Sequence, residues 1–263
     1  MSIPEFKVEG KKVLCVAGGR GIGKGVALAF AEAGADVAVT GLTPVGAGQV
    51  AEEIRKLGRQ GLSFAGDATK SADMERLANY VLGQFGQLDV LVNCLGDSIM
   101  KPVVTLPDGG PPGMTDEDWH SIVDINLTEA FQGCRAFGPH FLERRQGCVI
   151  NISSFAAFRG AAKRSAYDAA KGGLNRFTES VAMEWAPYGV RVNSIAPGVF
   201  PDPDQTYTEA QYGSQKTIKG RVPLGRLGNL KEVGYLAVFL ASPAAEYVTG
   251  QTWIIDGGLG LAG

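Results

Sequence analysis

Histidine is nearly missing from this sequence, and the two that occur, His120 and His140, both lie in stretches of helical pattern. A half-exposed helix residue is the plain reading of each, so a Ser-His-Asp hydrolase has little support. Cysteine is scarce too. Cys15, Cys94, Cys134 and Cys148 stand far apart, with no Cys-x-x-Cys pair and no histidine at zinc spacing, so there is no metal ligand set and the four read as inert core thiols. Neither sign of charge predominates: 25 basic against 27 acidic residues leave a formal net charge of -2, which provides no footprint for nucleic acid or for an anionic membrane surface. Long apolar runs are absent as well. The most apolar stretch, residues 233–241, is too short for a bilayer core of roughly 30 Å, and the opening MSIPEFKVEGKK has no apolar leader segment. The expectation is a cytoplasmic protein whose partners are small molecules or proteins, with no nucleic acid and no membrane.

Glycine, by contrast, is abundant. The 37 glycines among 263 residues approach twice the usual share of about 7%, and 45% hydrophobic content is enough to bury one large core. Short β-branched runs alternate with longer helical patterns: VLCVA, residues 22–33, DVAVT, residues 49–57, LSFAG, residues 71–85, LDVLVN. Then come a long helix over about residues 115–145, the run CVINIS, a helix over residues 165–185, VRVNSIAP, a helix near residues 230–241, and QTWIID. Seven strands separated by helices predict a single-domain α/β fold over residues 1–263. It is a Rossmann-like, doubly wound parallel sheet with helices on both faces. Two segments interrupt the rhythm. Residues 101–114 carry four prolines and three glycines and are expected to run as a loop until Thr115 and Asp118 form a capping box. Residues 200–220, rich in Pro, Asp, Gln and Tyr, form the other excursion, and both are read as substrate covers.

Directly after the first strand stands Gly18-Gly19-Arg20-Gly21-Ile22-Gly23, opening a helix. Glycines let the backbone approach a pyrophosphate, and free N–H groups at a helix start attract the anion. Where an acidic residue would close the second strand and accept the ribose hydroxyls, the chain reads Thr40-Gly41-Leu42-Thr43. With no carboxylate there, and with Arg20 and Lys24 beside the turn, NADP is favoured while NAD remains open. Asp67, ending the third strand, is suited either to accept from an adenine amine or to cap a helix. On the helix after CVINISS, Tyr167 and Lys171 are four residues apart and share a face. A phenol titrates near pH 10, and a fixed ammonium beside it favours the phenolate and brings it toward neutral pH.

These motifs together resemble the short-chain dehydrogenase/reductase family, over residues 10–258, and within it the subgroup of 3-oxoacyl-carrier-protein reductases and bacterial ketoreductases. The matching segments are GGRGIG, the Asp67 strand end followed by Ala68, Asn93-Cys94-Leu95-Gly96, INLTEAF with Asn126, INISS with Ser154, Tyr167-x-x-x-Lys171, RVNSIAPG with Pro197 and Gly198, and VTGQTWIIDGG. The resemblance implies Tyr167 as general acid/base and Lys171 as its electrostatic partner and a ribose ligand. It implies Ser154, thirteen residues before the tyrosine, as the group that polarises the carbonyl, with Ser153 structural. Asn126 would hold a water that links the lysine to solvent, and the whole would be a homotetramer assembled through the two long helices and the C-terminal segment. Three departures stand out. The glycine turn is either one residue short, as Ala17-Gly18-x-x-Gly21-x-Gly23, or lacks its first Thr and Gly, as Val16-Ala17-x-x-x-Gly21. Cys94 and Leu95 replace Asn and Ala. Asp202 takes the place of a Thr expected at the nicotinamide carboxamide. The activity expected is hydride exchange between NADP(H) and a ketone or secondary alcohol. The alternatives are an NAD-dependent alcohol dehydrogenase of the same family and a noncatalytic dinucleotide-binding regulator, which would have no need of Ser154, Tyr167 and Lys171 together.

Overall fold

The computed structural model describes residues 3–203 and 219–261, so Asp204, Tyr207, Tyr212 and Lys216 of the second excursion lie outside the described residues. Seven strands form one sheet: β1 (Lys12–Val16), β2 (Asp36–Gly41), β3 (Gly61–Ala65), β4 (Val90–Asn93), β5 (Gly147–Ile152), β6 (Val190–Pro197) and β7 (Thr252–Ile255). Their order is β3-β2-β1-β4-β5-β6-β7, and every neighbouring pair is parallel. Successive strand residues face opposite sides, so each strand feeds two cores. Val13, Cys15, Val37, Val39, Val90 and Val92 pack with Val26, Phe30, Val50, Ile54 and Leu240 on one side. Leu14, Leu91, Val149 and Val192 pack with Met74, Leu77, Val81, Phe137 and Phe141 on the other. Burial on both faces is what the nearly continuous apolar runs require.

The helices that supply those residues are α1 (Gly21–Glu32), α2 (Pro44–Lys56), α3 (Ser71–Phe85), α4 (Asp116–Val123), α5 (Glu129–Arg144), α6 (Ser165–Trp185) and α7 (Leu230–Ala241). Two differ from the sequence expectation. Helix α2 begins about a turn early, because Pro44 at its first position has a φ already suited to a helix and no N–H to satisfy. The long helix expected over residues 115–145 does start on the Thr115–Asp118 capping box, but a π turn, Asp124–Thr128, separates α4 from α5. Residues 101–114 form a loop without helix or strand, tied down where the Lys101 N–H donates to the Lys163 carbonyl, just before α6.

Helix α7 crosses α1 at very close range. A side chain on Gly25 would begin 2.7 Å from the Leu230 carbonyl oxygen, and one on Gly234 would begin 2.5 Å from the Ala29 methyl and 2.8 Å from the Gly25 carbonyl oxygen. At the opposite, amino end of the sheet, Asp89 accepts from the Lys12 N–H and from the Arg144 guanidinium, and His140 accepts from the Leu88 N–H. His140 is therefore a structural acceptor far from the carboxyl edge, and His120 is exposed. Among the described residues no helix is long and apolar enough to cross a membrane. Gly234→Val should force α1 and α7 apart and lower the unfolding free energy by about 1–3 kcal/mol. Chemical denaturation is the check, and an unchanged midpoint would contradict this packing account.

Candidate active site

Strand order reverses between β1 and β4, so the chains leaving these two strands diverge and open a crevice at their carboxyl ends. The glycine-rich turn forms one wall. Strand β1 ends at Val16, Ala17 adopts φ +57°, and α1 begins at Gly21 with φ +52°. Of the two registers open in the sequence, the structure adopts the one in which Ala17 takes the left-handed position, a conformation that costs a residue with a side chain about 1–2 kcal/mol. Its N–H donates to Thr40 Oγ1 at 2.9 Å, so the buried end of β2 anchors the turn. Gly23 has no room for a side chain, which would start 2.3 Å from the Ala17 carbonyl oxygen. Gly18 and Gly19 pack as tightly against Val39 and the start of α2. Ile22 packs on the core below.

What this turn holds is an anion. The Gly21 N–H donates to the Asp202 carboxylate at 2.9 Å, across the crevice from a residue that the family pattern associates with the other end of a dinucleotide. A helix start attracts an anion in this way because its first N–H groups lack partners within the helix. Arg20 is exposed at the lip, whereas Lys24 pairs with Glu53 of α2 at 3.2 Å. Leu42 and Thr43, at the end of β2, are exposed and bring no acid. Farther along the edge, Thr40, Phe64, Asp67, Ala68, Met74 and Leu77 line a small hollow. Asp67 does not cap α3, whose N-cap is Lys70; its Oδ1 accepts from both the N–H and the hydroxyl of Thr69. At the far side, Pro197 ends β6 and the Gly198 N–H donates to the Ile255 carbonyl.

The second wall gathers the remaining residues. Lys171 is buried, and its ammonium donates to the Ile152 carbonyl at 2.9 Å and to the Leu95 carbonyl at 3.4 Å. It lies 5.9 Å from the centre of the Tyr167 ring, one helical turn earlier. Asn126 sits in the π turn, its amide donating to the Asp97 and Ile122 carbonyls at 2.8 Å, while its Oδ1 is buried with no hydrogen-bond partner among the described residues. That oxygen and the Lys171 ammonium lie 3.1 and 3.2 Å from where a side chain on Gly96 would begin. Gly96 thus keeps the two polar groups facing one another. Ser154 Oγ accepts from the Ala156 N–H at 3.1 Å and stands at the open end of β5. Ser153 is directed inward, its hydroxyl donating to the Lys171 carbonyl. Asn93 spends its amide on Asn151, which donates in turn to Thr178, itself bonded to Ser194. Cys15, Cys134 and Cys148 are buried and Cys94 is half-buried, and burial raises all four thiols above their ordinary range.

One participant escaped the sequence reading. Glu129, the first residue of α5, is buried, and its Oε1 has no hydrogen-bond partner among the described residues. Burial pushes its carboxyl up to about 8 despite the Lys171 charge, while burial pulls Lys171 down to about 8 despite Glu129 and Cys94. Nothing in the heptapeptide INLTEAF separates an inward glutamate from an ordinary exposed one.

A family model described as enoyl-(acyl carrier protein) reductase matches residues 16–260. The chain is 35% identical to the 3-oxoacyl-[acyl-carrier-protein] reductase FabG of Chlamydia pneumoniae, over 97% of this chain and 99% of that one. Among solved structures, it resembles a short-chain type dehydrogenase/reductase from Mycobacterium marinum with TM-score 0.87 and 30% identity, covering 97% of each chain. It also resembles 7α-hydroxysteroid dehydrogenase complexed with NADH and 7-oxo glycochenodeoxycholic acid, with TM-score 0.89 and 27% identity, over 98% of this chain and 97% of that one. A parallel sheet in this order, an anion-holding turn at its switch point and a Tyr-x-x-x-Lys helix beside it agree with those matches: the chain belongs to the short-chain dehydrogenase/reductase family and is an NAD(P)-dependent oxidoreductase acting on alcohol and keto groups.

Proposed function

We propose that this enzyme reduces an uncharged ketone of moderate size, or oxidises the matching secondary alcohol, with NADP(H) and with Tyr167 as the general acid/base. The observation that carries this reading is the Lys171 ammonium set beside the Tyr167 ring and meeting Asn126 across Gly96, at the carboxyl edge of the sheet. In the ketone-reducing direction Tyr167 gives its hydroxyl proton to the substrate oxygen as negative charge develops there, and Ser154 donates a second hydrogen bond to the same oxygen. Lys171 stabilises the phenolate left behind, and Asn126 steadies the lysine's surroundings. The dinucleotide, when bound, supplies or accepts the hydride. Gly18, Gly19, Arg20, Gly21, Ile22 and Gly23 would hold its diphosphate, Asp67, Ala68 and the hollow beside them its adenine, with the segment begun by Asn93 near the adenosine, and Pro197 and Gly198 its nicotinamide end. The exposed side chains of Met100 and, in the loop of residues 101–114, of Val103, Val104 and Leu106 support an apolar substrate wall. Four free thiols suit the reducing cytoplasm.

Tyr167→Phe should reduce turnover by roughly a thousandfold or more while nucleotide affinity stays within a few-fold of wild type, because the hydroxyl moves the proton and the ring does not hold the nucleotide. Steady-state rates with a ketone panel, paired with nucleotide titration, decide the matter. Turnover close to wild type would remove Tyr167 from proton transfer.

The NADP preference rests on Arg20 at the lip and on the absence of an acid at the end of β2. NADP should give the higher kcat/KM, and Arg20→Ala should narrow the difference. A preference for NAD that the substitution leaves alone would overturn it.

A homotetramer is proposed from apolar side chains that neither core covers. Trp119 on α4, Phe131 on α5 and Met183 on α6 are exposed, as are Tyr247, Ile254 and Leu261 near the C-terminal segment. A closed symmetric assembly would bury such surface in self-complementary interfaces. Light scattering after gel filtration should report about four times the chain mass of 27.6 kDa, whereas a concentration-independent monomer mass would refute the assembly.

A further inference from the structure

Glu129 has no place in the reaction described above, yet it lies against the centre of it. The π turn at Asp124–Thr128 ends with the Glu129 N–H donating to the Asp124 carbonyl, five residues back. That extra residue in the turn rotates everything after it, and π turns recur at functional sites for this reason. Here it delivers Glu129 inward, three residues after Asn126 and four before Gly133, so the three share one stripe. Both ends of the stripe carry a buried oxygen without a partner among the described residues. Asn126 Oδ1 is one, and the other is Asn93 Oδ1, which a side chain on Gly133 would approach to 2.4 Å. Glu129 Oε1 is equally unpaired among the described residues. The titratable groups that face the carboxyl are Lys171 from α6, Cys94 from the end of β4, and Cys134 from its own helix. Lys171 is the one cation among them.

A buried carboxyl oxygen that makes no hydrogen bond is unfavourable in a core, and a leucine would fill the same space without the cost. Structural reasons for a carboxyl are lacking as well: it caps no helix and joins no ion pair within 4 Å among the described residues. What it does have is a place one turn from Asn126, whose Oδ1 meets the Lys171 ammonium across Gly96. We propose that Glu129 is a positioning residue for proton transfer, its buried carboxyl controlling the charge of Lys171 and so setting the pH range over which Tyr167 exchanges its proton. This rests on the reading of Tyr167 and Lys171 as the proton-transferring pair. The sign follows from electrostatics. An ionised Glu129 favours the protonated lysine, and a carboxyl that cannot ionise leaves the buried ammonium with desolvation alone, so the lysine loses its proton at lower pH.

Two measurements test it on the full-length protein. In the ketone-reducing direction, the alkaline limb of the kcat profile of Glu129→Gln should move to lower pH by about one unit. A uniform loss of rate with the limb in place would mark Glu129 as merely structural and overturn the proposal. The second readout needs no nucleotide. Glu129 holds its proton more tightly folded than unfolded, so the stability it contributes is complete below the ordinary carboxylate range and is lost as pH rises through about 8. Between about pH 5 and about pH 8 the folding equilibrium of Glu129→Gln, and likewise of Glu129→Leu, should therefore gain on wild type by up to about tenfold per pH unit. In a Lys171→Met background the same gain should begin at the same pH but continue to higher pH, because the ammonium that favours the ionised carboxyl in the folded protein is gone. Curves that run parallel across this range, or that ignore the loss of Lys171, overturn the coupling. If Tyr167→Phe stays active, the proton-transfer reading fails while these folding curves still report the pair; if Tyr167→Phe is inactive and the curves are parallel, this proposal alone fails.

Discussion

A sheet whose strands all run in one direction, covered by helices on both faces, has only its edges available for chemistry. That constraint governs this molecule. Every strand delivers its last residue to the same edge, and there the helix starts put free N–H groups. The break in strand order between β1 and β4 opens that edge at one place. The glycine turn lies on one side of the opening and the segment from Asn93 to Gly96 on the other, so anion binding and proton chemistry come within reach of a single extended ligand. The polar network at the amino edge, where Asp89 meets Lys12 and Arg144, has no comparable opening and serves to close the sheet.

Packing at that opening leaves little freedom. The turn is held by Thr40 below, by Gly23 against the Ala17 carbonyl, and by Gly18 and Gly19 against β2 and α2. This explains how alanine can occupy a left-handed position usually left to glycine: neighbouring contacts over-determine the backbone, and the strain, of order 1–2 kcal/mol, is carried by the whole turn. Asp202 completes the arrangement by placing a carboxylate on the Gly21 N–H. That contact ties the segment after β6 to the glycine turn.

The interior beside the site is unusually polar for a core, and its parts are treated differently. Asn93, Asn151, Thr178 and Ser194 form a chain of short hydrogen bonds across β4, β5, α6 and β6, the condition under which buried polar groups rigidify a core at little cost. Lys171 likewise spends two donors on carbonyls. Glu129 Oε1 and Asn126 Oδ1, within one turn of each other, and Asn93 Oδ1 at the end of the chain break that pattern among the described residues, and departures from full satisfaction are expected where function opposes stability.

Much of this was legible in one dimension. Short β-branched apolar runs, helices of 3.6-residue period and glycines between them are local statements, and they determined seven strands, a parallel sheet and the capping box at Thr115. The spacing of Tyr167 and Lys171 was equally local, since four residues on a helix define a shared face. Three matters were decided only in three dimensions. The register of the glycine turn depended on whether Ala17 would accept φ +57°, which hinges on Thr40 and on packing from β2 and α2. The pairing of Lys24 with Glu53 joined two helices that the sequence keeps apart. The burial of Glu129 depended on a π turn, whose single extra residue no periodicity predicts and whose rotation converts an ordinary surface glutamate into a buried acid facing Lys171. Local sequence determines which elements form, whereas the rotation of each about its own axis follows from what packs against it, and that rotation selects the side chains that reach the site.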